Sequence, residues 1–183
     1  MTDNVFVITS GLPASGKSTL SHALGDCLGW PVIDKDAILE SLFDSLGTGD
    51  PTWRHWLSRA SDDVLFTIAA QAKRAVLDNW WHHDTAPERL HRLNARLIEI
   101  FCDCDPALAA ERFQRRTRHP GHLDPQLTPE QVAERVAMLR ATYPGPLRLG
   151  GPLLTVDTSQ PVDITEVVKE VNALLEAEAP LIG

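Results

Sequence analysis

The sequence has few of the features that mark secreted or membrane proteins. Only three of its 183 residues are cysteines, and an odd number gives no disulfide framework. No apolar run approaches the roughly 20 residues that a membrane-spanning helix needs. Strand-like apolar residues begin at Val5, which leaves no room for a signal peptide before them. We therefore expect a cytoplasmic protein with reduced thiols and no membrane partner.

Basic residues are also in the minority. The chain has 17 Lys and Arg against 25 Asp and Glu, and its formal net charge is −8. Surfaces that bind nucleic acids are normally basic, so this balance argues against a nucleic-acid partner, although a local basic groove remains compatible with it. The length and the hydrophobic content of 43% suit one globular domain over residues 1–183.

What the sequence does contain is a glycine-bounded motif at residues 11–18. The letters GLPASGKS match G-x-x-x-x-G-K-[ST] at every fixed position. Apolar residues 5–9 predict a strand before the motif, and apolar residues at helical spacing predict a helix after it. In this setting, backbone N–H groups and a helix N-terminus surround a phosphate, and Gly11 and Gly16 permit the backbone torsions that such a loop requires.

This motif predicts that the chain binds a nucleoside triphosphate. We expect Lys17 to reach the β- and γ-phosphates and the hydroxyl of Ser18 to bind Mg²⁺. ATP and Mg²⁺ are thus the predicted cofactors. The expected nucleotide contacts lie within residues 11–19 and comprise Gly11, Pro13, Ala14, Ser15, Gly16, Lys17, Ser18 and Thr19.

Four further segments have the apolar, β-branched character of strands. They cover residues 31–33, 75–78, 97–102 and 153–157, and they alternate with helical patterns. This alternation predicts an α/β fold with a five-stranded parallel sheet, right-handed crossovers and helices on both faces. Two separate helices are expected at about residues 51–60 and 61–73. Thr85 with Glu88, and Thr128 with Gln131, have the spacing of capping boxes. Asp50-Pro51 and Asp105-Pro106 are expected to start helices.

Acidic residues stand at the ends of the second and third predicted strands. Asp34 and Asp36 follow residues 31–33, and Asp78 ends residues 75–78. Phosphoryl transfer to a hydroxyl needs a carboxylate that orients and deprotonates the nucleophile, and often another that holds metal-bound water. Asp34 or Asp36 could equally be the N-cap of the next helix, and Asp78 could be a turn residue.

An arginine group precedes a Pro/Gly-containing loop. It comprises Arg112, Arg115, Arg116 and Arg118. The fixed donor fork of arginine matches phosphate oxygens and supplies charge where a phosphoryl group is transferred. The same pattern also suits a solvated helix end near its negative dipole pole. His119 and His122 in the following loop lack Cys or acidic partners at ligand spacing, so we interpret them as loop histidines rather than metal ligands.

Tryptophan is frequent beside the single tyrosine. Trp53, Trp56, Trp80 and Trp81 lie in segments that would wall a second substrate pocket. Indole rings can stack on sugars or flat apolar groups, and core packing explains them equally well.

With these motifs together, the chain resembles the small-molecule P-loop kinases labelled as AAA domains. That group includes zeta toxins, chloramphenicol phosphotransferase and the kinase domain of polynucleotide kinase. The resemblance implies a three-layer P-loop NTPase fold with sheet order 2-3-1-4-5, acceptor-side helices at about 36–73 and an arginine-bearing lid at about 112–128. It also implies Asp36 as the catalytic base and Arg112 and Arg116 as lid arginines, with Asp34 and Asp78 near Mg²⁺.

The expected activity is an ATP-dependent transfer of the γ-phosphoryl group to a hydroxyl of a small molecule, such as a metabolite, sugar, amino sugar or antibiotic. Lys17, Asp36, Arg112 and Arg116 are the expected catalytic residues. Two alternatives stay open at this point: a polynucleotide 5′-hydroxyl kinase, and a regulatory ATPase without an acceptor. We expect a monomer or a homodimer.

Overall fold

The computed structural model describes residues 4–123 and 128–177. Its strands are β1 (Val5–Gly11), β2 (Val32–Asp34), β3 (Arg74–Asp78), β4 (Arg96–Asp103) and β5 (Leu153–Asp157). They form one parallel sheet in the order β2-β3-β1-β4-β5. The predicted sheet and its order 2-3-1-4-5 are therefore confirmed.

Helices connect these strands. They are α1 (Lys17–Leu28), α2 (Lys35–Leu46), α3 (Pro51–Ala69), α4 (Ala86–His91), α5 (Pro106–Arg115), α6 (Pro129–Thr142) and α7 (Ile164–Ala177), with a 3₁₀ turn at Pro120–His122. Within the described parts of the chain, no helix combines the length and apolar character that a bilayer span requires.

The central strand β1 is buried along its whole length and divides the core in two. Because successive strand side chains point to opposite faces, Phe6 and Ile8 belong to one apolar cluster and Val7 to the other. The first cluster includes Leu65 of α3 and residues of α4, and the second includes residues of α1 and α7. Helices thus cover both faces of the sheet, as the three-layer expectation requires.

Two local expectations are wrong. The chain forms one helix, α3, where two helices were expected to meet at residues 60 and 61. No Gly or Pro interrupts it after Pro51, and Ser61 at the expected boundary bonds through Oγ to Ser58 O within the helix. Thr85 makes no side-chain cap bond at the start of α4, so the first capping box does not form.

Other helix starts agree with the sequence. Asp50 accepts a bond from Trp53 N at the start of α3, and Asp105 caps α5 through Ala107 N and Leu108 N. The second capping box forms reciprocally. Its bonds are Gln131 N to Thr128 Oγ1 at 3.3 Å and Thr128 N to Gln131 Oε1 at 2.9 Å.

Candidate active site

The glycine motif forms the loop between β1 and α1. Gly11 has φ +143° and Gly16 has φ +94°, conformations that L side chains rarely adopt. A Cβ on Gly11 would lie 2.7 Å from Cys102 O. Ala14 also takes a positive φ, 61°, which costs energy in a residue with a Cβ. The loop is therefore strained, with glycines at the two positions that demand them most.

Lys17 folds back over this loop. Its Nζ donates to Gly11 O at 3.1 Å and Leu12 O at 2.8 Å, and it lies 5.8 Å from the centroid of the Trp80 ring. Burial lowers the pKa of Lys17, an effect that the carboxylate of Asp78 partly offsets. A desolvated cation beside a glycine loop at a helix N-terminus is suited to holding phosphate oxygens.

Asp34 and Asp78 are neighbours at the carboxyl edge of the sheet, because they are paired residues in the β2–β3 register. Asp78 is buried, and its Oδ1 accepts a long bond of 3.4 Å from Thr9 Oγ1. Among the described residues its Oδ2 has no hydrogen-bond partner. Burial raises the pKa of Asp78, while Lys17 and the Ser18 hydroxyl lower it.

Asp34 is the N-cap of α2. Its Oδ1 accepts bonds from Asp36 N at 2.8 Å and Ala37 N at 3.3 Å, and its Oδ2 lies 3.5 Å from His22 Nε2. Of the two aspartates that could have capped this helix, Asp34 is therefore the one that does so. Capping uses only one of its two carboxylate oxygens, so it does not exclude a second role.

The unpartnered Oδ2 of Asp78, the Ser18 hydroxyl and Asp34 form a donor set that fits Mg²⁺. Mg²⁺ usually takes one or two protein carboxylates together with water and substrate phosphates rather than an all-protein cage. In residues 4–123 and 128–177 no cluster of three or more His, Cys, Asp or Glu side chains is arranged to hold a metal alone.

Asp36 lies in the first turn of α2 and is 49% exposed at its side chain. Its Oδ2 accepts from Arg118 Nη2, and its Oδ1 lies 3.9 Å from Lys35 Nζ. Arg118 belongs to the arginine group but was not among the expected catalytic residues. The arginine that contacts the candidate base in this structure is therefore Arg118.

The expected lid arginines have other contacts. Arg112 Nη1 donates to Thr158 O at 2.9 Å, and the Arg116 guanidinium stacks 4.2 Å from the Phe113 ring centroid. Arg115 is exposed and pairs with Glu111. Arg112 and Arg116 thus line the cavity and Arg115 is a surface residue, while the catalytic role of Arg112 and Arg116 stays a prediction.

The segment after α5, residues 117–123, packs on α2 and α3. His122 is buried, with Nε2 2.8 Å from Glu40 Oε1 and 3.2 Å from Arg118 Nη2. Arg54 Nε donates to His122 O at 3.0 Å, and His119 stacks on Phe43. His119 pairs with Asp44, so each histidine has an acidic partner on α2 that the sequence spacing did not reveal. Residues 124–127 of the expected lid lie outside the described residues.

One cavity of about 970 Å³ brings most of these groups together. The expected site residues that line it are Pro13, Ala14, Gly16, Lys17, Ser18, Thr19, Asp34, Asp36, Asp78, Arg112 and Arg116. Gly11 and Ser15 shape the loop without lining the cavity. Cavity residues outside the expected site set include Lys35, Arg54, His55, Arg59, Asp62 and Arg118, of which Arg118 belongs to the predicted arginine group.

The tryptophans separate into two groups. Trp80 lines the cavity and stacks on Tyr143. Trp81 is a core residue whose Nε1 donates to Thr9 O at 2.7 Å. Trp53 and Trp56 contact each other edge to face outside the cavity lining, and Trp56 is 60% exposed. A pocket wall of four tryptophans is therefore wrong, and only Trp80 keeps that role.

Sheet order, phosphate loop and flanking helices together define a P-loop kinase fold. Residues 6–141 match the family described as an AAA domain, and the chain belongs to that family. No curated protein matches the sequence significantly.

Solved structures share the fold over nearly the whole chain. A provisionally assigned kinase from Chloroflexus aurantiacus j-10-fl is 29% identical, with 98% of this chain and 100% of that chain covered and a TM-score of 0.82. Shikimate kinase from Bacteroides thetaiotaomicron is 19% identical, with 94% of this chain and 98% of that chain covered and a TM-score of 0.59. A gluconokinase from Sinorhizobium meliloti 1021 is 20% identical, with 96% of this chain and 93% of that chain covered and a TM-score of 0.55. At these lower identities the likeness concerns the fold alone.

Proposed function

We propose that the protein is an ATP-dependent kinase that transfers the γ-phosphoryl group to a hydroxyl of a small molecule. The observation that carries this proposal is a single cavity lined both by Lys17 of the phosphate loop and by the accessible carboxylate of Asp36. A nucleotide switch or ATPase has no need of an acceptor base at that position.

Phosphate binding follows from the loop. Backbone N–H groups and the N-terminus of α1 hold the β- and γ-phosphates, and Lys17 exchanges its bonds to Gly11 O and Leu12 O for phosphate oxygens. Arg112 and Arg116 neutralise the charge that spreads over the transferred group. Residues 112–128 act as the lid that brings these arginines to the nucleotide.

Ser18, Asp34 and Asp78 are the residues that would hold Mg²⁺. The ion supplies charge neutralisation to the β- and γ-phosphate oxygens when it is bound.

Asp36 acts as the general base. Its carboxylate accepts the proton of the acceptor hydroxyl while the oxygen forms a bond to the γ-phosphorus. The bond between that phosphorus and the bridging oxygen breaks, and ADP leaves with the electron pair. Arg118 orients the carboxylate through its bond to Oδ2, and the half-exposed Asp36 then returns its proton to water.

A mass-shift screen tests this function. The protein is incubated with ATP, Mg²⁺ and pools of metabolites and antibiotics, and products are sought that have gained one phosphoryl group. We expect such a product with the wild-type protein and none with Lys17→Ala. Phosphorylation of a labelled oligonucleotide in place of any small molecule would contradict the proposal, as would ATP hydrolysis that no pool alters.

A further inference from the structure

The cavity differs in charge from the chain as a whole. Seven Lys or Arg side chains and four Asp side chains line it, without any Glu, although the whole chain carries a net charge of −8. The nucleotide functions proposed above use Lys17, Arg112 and Arg116. Four further cations of the lining, Lys35, Arg54, Arg59 and Arg118, have no part in those functions, and they lie on α2, α3 and the segment that packs on them.

Lys35 stands out among these remaining cations. It is 8% exposed, lines the cavity, and lies between the two aspartates that follow β2. Its Nζ donates to the neutral hydroxyl of Ser58 at 2.8 Å, while the Asp36 oxygen at 3.9 Å lies beyond hydrogen-bond range. A buried ammonium that rests on a neutral partner costs stability unless an opposite charge joins it.

The neighbouring carboxylates are already engaged. Asp36 Oδ2 accepts from Arg118, and Asp62 Oδ1 accepts from Asn79 Nδ2 at 2.8 Å. Asp36 Oδ1 at 3.9 Å therefore pairs with Lys35 only loosely, and it is the one carboxylate oxygen recorded within ion-pair distance of that ammonium among the described residues.

Arg59 extends the same basic region along α3. It follows Ser58, the partner of Lys35, and lines the cavity. Across the described ranges Arg59 makes no hydrogen bond or ion pair. Arginine and lysine together provide several donors for one carboxylate or phosphate group.

We propose that Lys35 and Arg59 bind an anionic group, a carboxylate or a phosphate, on the small molecule whose hydroxyl faces Asp36. This inference rests on the proposed kinase function and adds the class of acceptor: a small hydroxylated anion. Lys35 determines specificity, because a neutral acceptor would leave its desolvated charge with only the Asp36 carboxylate at 3.9 Å.

A fractionated metabolite extract tests the class of acceptor. Small solutes that pass an ultrafiltration membrane are separated on an anion-exchange resin into unretained and retained pools. Each pool is incubated with protein, Mg²⁺ and ATP, and transfer is followed by mass shift. We expect the acceptor in the retained pool. Pretreatment with alkaline phosphatase distinguishes its source: activity that survives identifies a carboxylate acceptor, and activity that is lost identifies a phosphate monoester.

Contrary outcomes have separate meanings. Transfer confined to the unretained pool would leave the kinase function standing and overturn the anionic acceptor. Transfer only to nuclease-sensitive material held back by the membrane would overturn the small-molecule acceptor. Transfer in no pool would contradict the kinase function and this inference with it.

Substitution of Lys35 tests the residue itself with the acceptor purified from the active pool. We expect Lys35→Met to raise the KM for the acceptor roughly tenfold to hundredfold, because the substitution removes one hydrogen bond between charged groups. The KM for ATP should not change. Lys35→Arg should recover most of this loss, and Lys73→Met, at an exposed lysine, should change neither constant. If Lys35→Met lowers the melting temperature but leaves the KM for the acceptor unchanged, the proposal is refuted and Lys35 has only a structural role through its bond to Ser58.

Discussion

Replacing Asp36 with asparagine removes the proposed base and little else. Asparagine keeps the size and hydrogen-bonding capacity of the side chain but cannot take the acceptor proton. We expect phosphoryl transfer to fall roughly 10²- to 10⁴-fold. The affinity for ATP should change little, because the proposed nucleotide contacts come from the loop at residues 11–18. The assay measures transfer rate and nucleotide affinity in parallel.

The fold should tolerate this change. Asp36 is 49% exposed and its partner Arg118 is 14% exposed, so solvent screens the ion pair on one side. Exposed and half-exposed pairs stabilise proteins by about 0–1 kcal/mol, and the free energy of unfolding should fall by no more than that. A loss of several kcal/mol would mean that Asp36 is a structural residue.

Asp34→Asn is the matched comparison. Asparagine caps helices about as well as aspartate, so the bonds to Asp36 N and Ala37 N should persist and α2 should stay intact. If Asp34 supports Mg²⁺, the variant should need more Mg²⁺, and excess Mg²⁺ should partly restore its activity. Rescue of Asp36→Asn by metal, with Asp34→Asn inactive at every concentration, would reverse the two assigned roles. Full activity in both variants would leave only the capping role.

Four further predictions use simpler measurements. Lys17→Ala should lower turnover by roughly 10²-fold or more with an unchanged melting temperature, and near-normal turnover would refute the phosphate-loop mechanism. Backbone amides at residues 117–123 should exchange hydrogen more slowly when an ATP analogue and acceptor are bound, and unchanged exchange there would refute a closing lid. Burial and Arg118 lower the pKa of His122 from its ordinary 6.5 despite Glu40, so the unfolded chain binds more protons below that pH. The free energy of unfolding from urea titrations should therefore fall as pH drops below about 6.5, and an equal slope in His122→Gln would refute this cause. Burial raises the pKa of Cys102 to about 12, so a thiol reagent should label exposed Cys27 in the native protein and Cys102 only after unfolding.

Much of the fold was predictable because its signals are local. The phosphate loop is a contiguous motif, and the apolar strands and the helix caps at Asp50 and Asp105 involve residues a few positions apart. The sheet order came from the resemblance and is confirmed. The boundary expected between residues 60 and 61 is wrong, because Ser61 is a buried residue of the continuous helix α3.

The missing parts of the site depend on tertiary contacts. Arg118 meets Asp36, and His122 meets Glu40, each across 82 positions of sequence. No periodicity links such pairs, because packing of the segment at 117–123 on α2 brings them together. The arginine group did include Arg118, but a resemblance-based choice favoured Arg112 and Arg116. Lys35 gave a weaker signal still, because a lysine in the first turn of a helix is ordinarily a surface residue.

The destination of the γ-phosphoryl group distinguishes a kinase from an ATPase most directly. With [γ-³²P]ATP and Mg²⁺, the label should stay on ATP in the absence of acceptor and should move to an organic phosphate when the small-molecule pool is added. Lys17→Ala should abolish this transfer, and Lys73→Ala should not affect it. Release of the label as inorganic phosphate at the same rate with and without the pool would contradict a kinase and identify an ATPase.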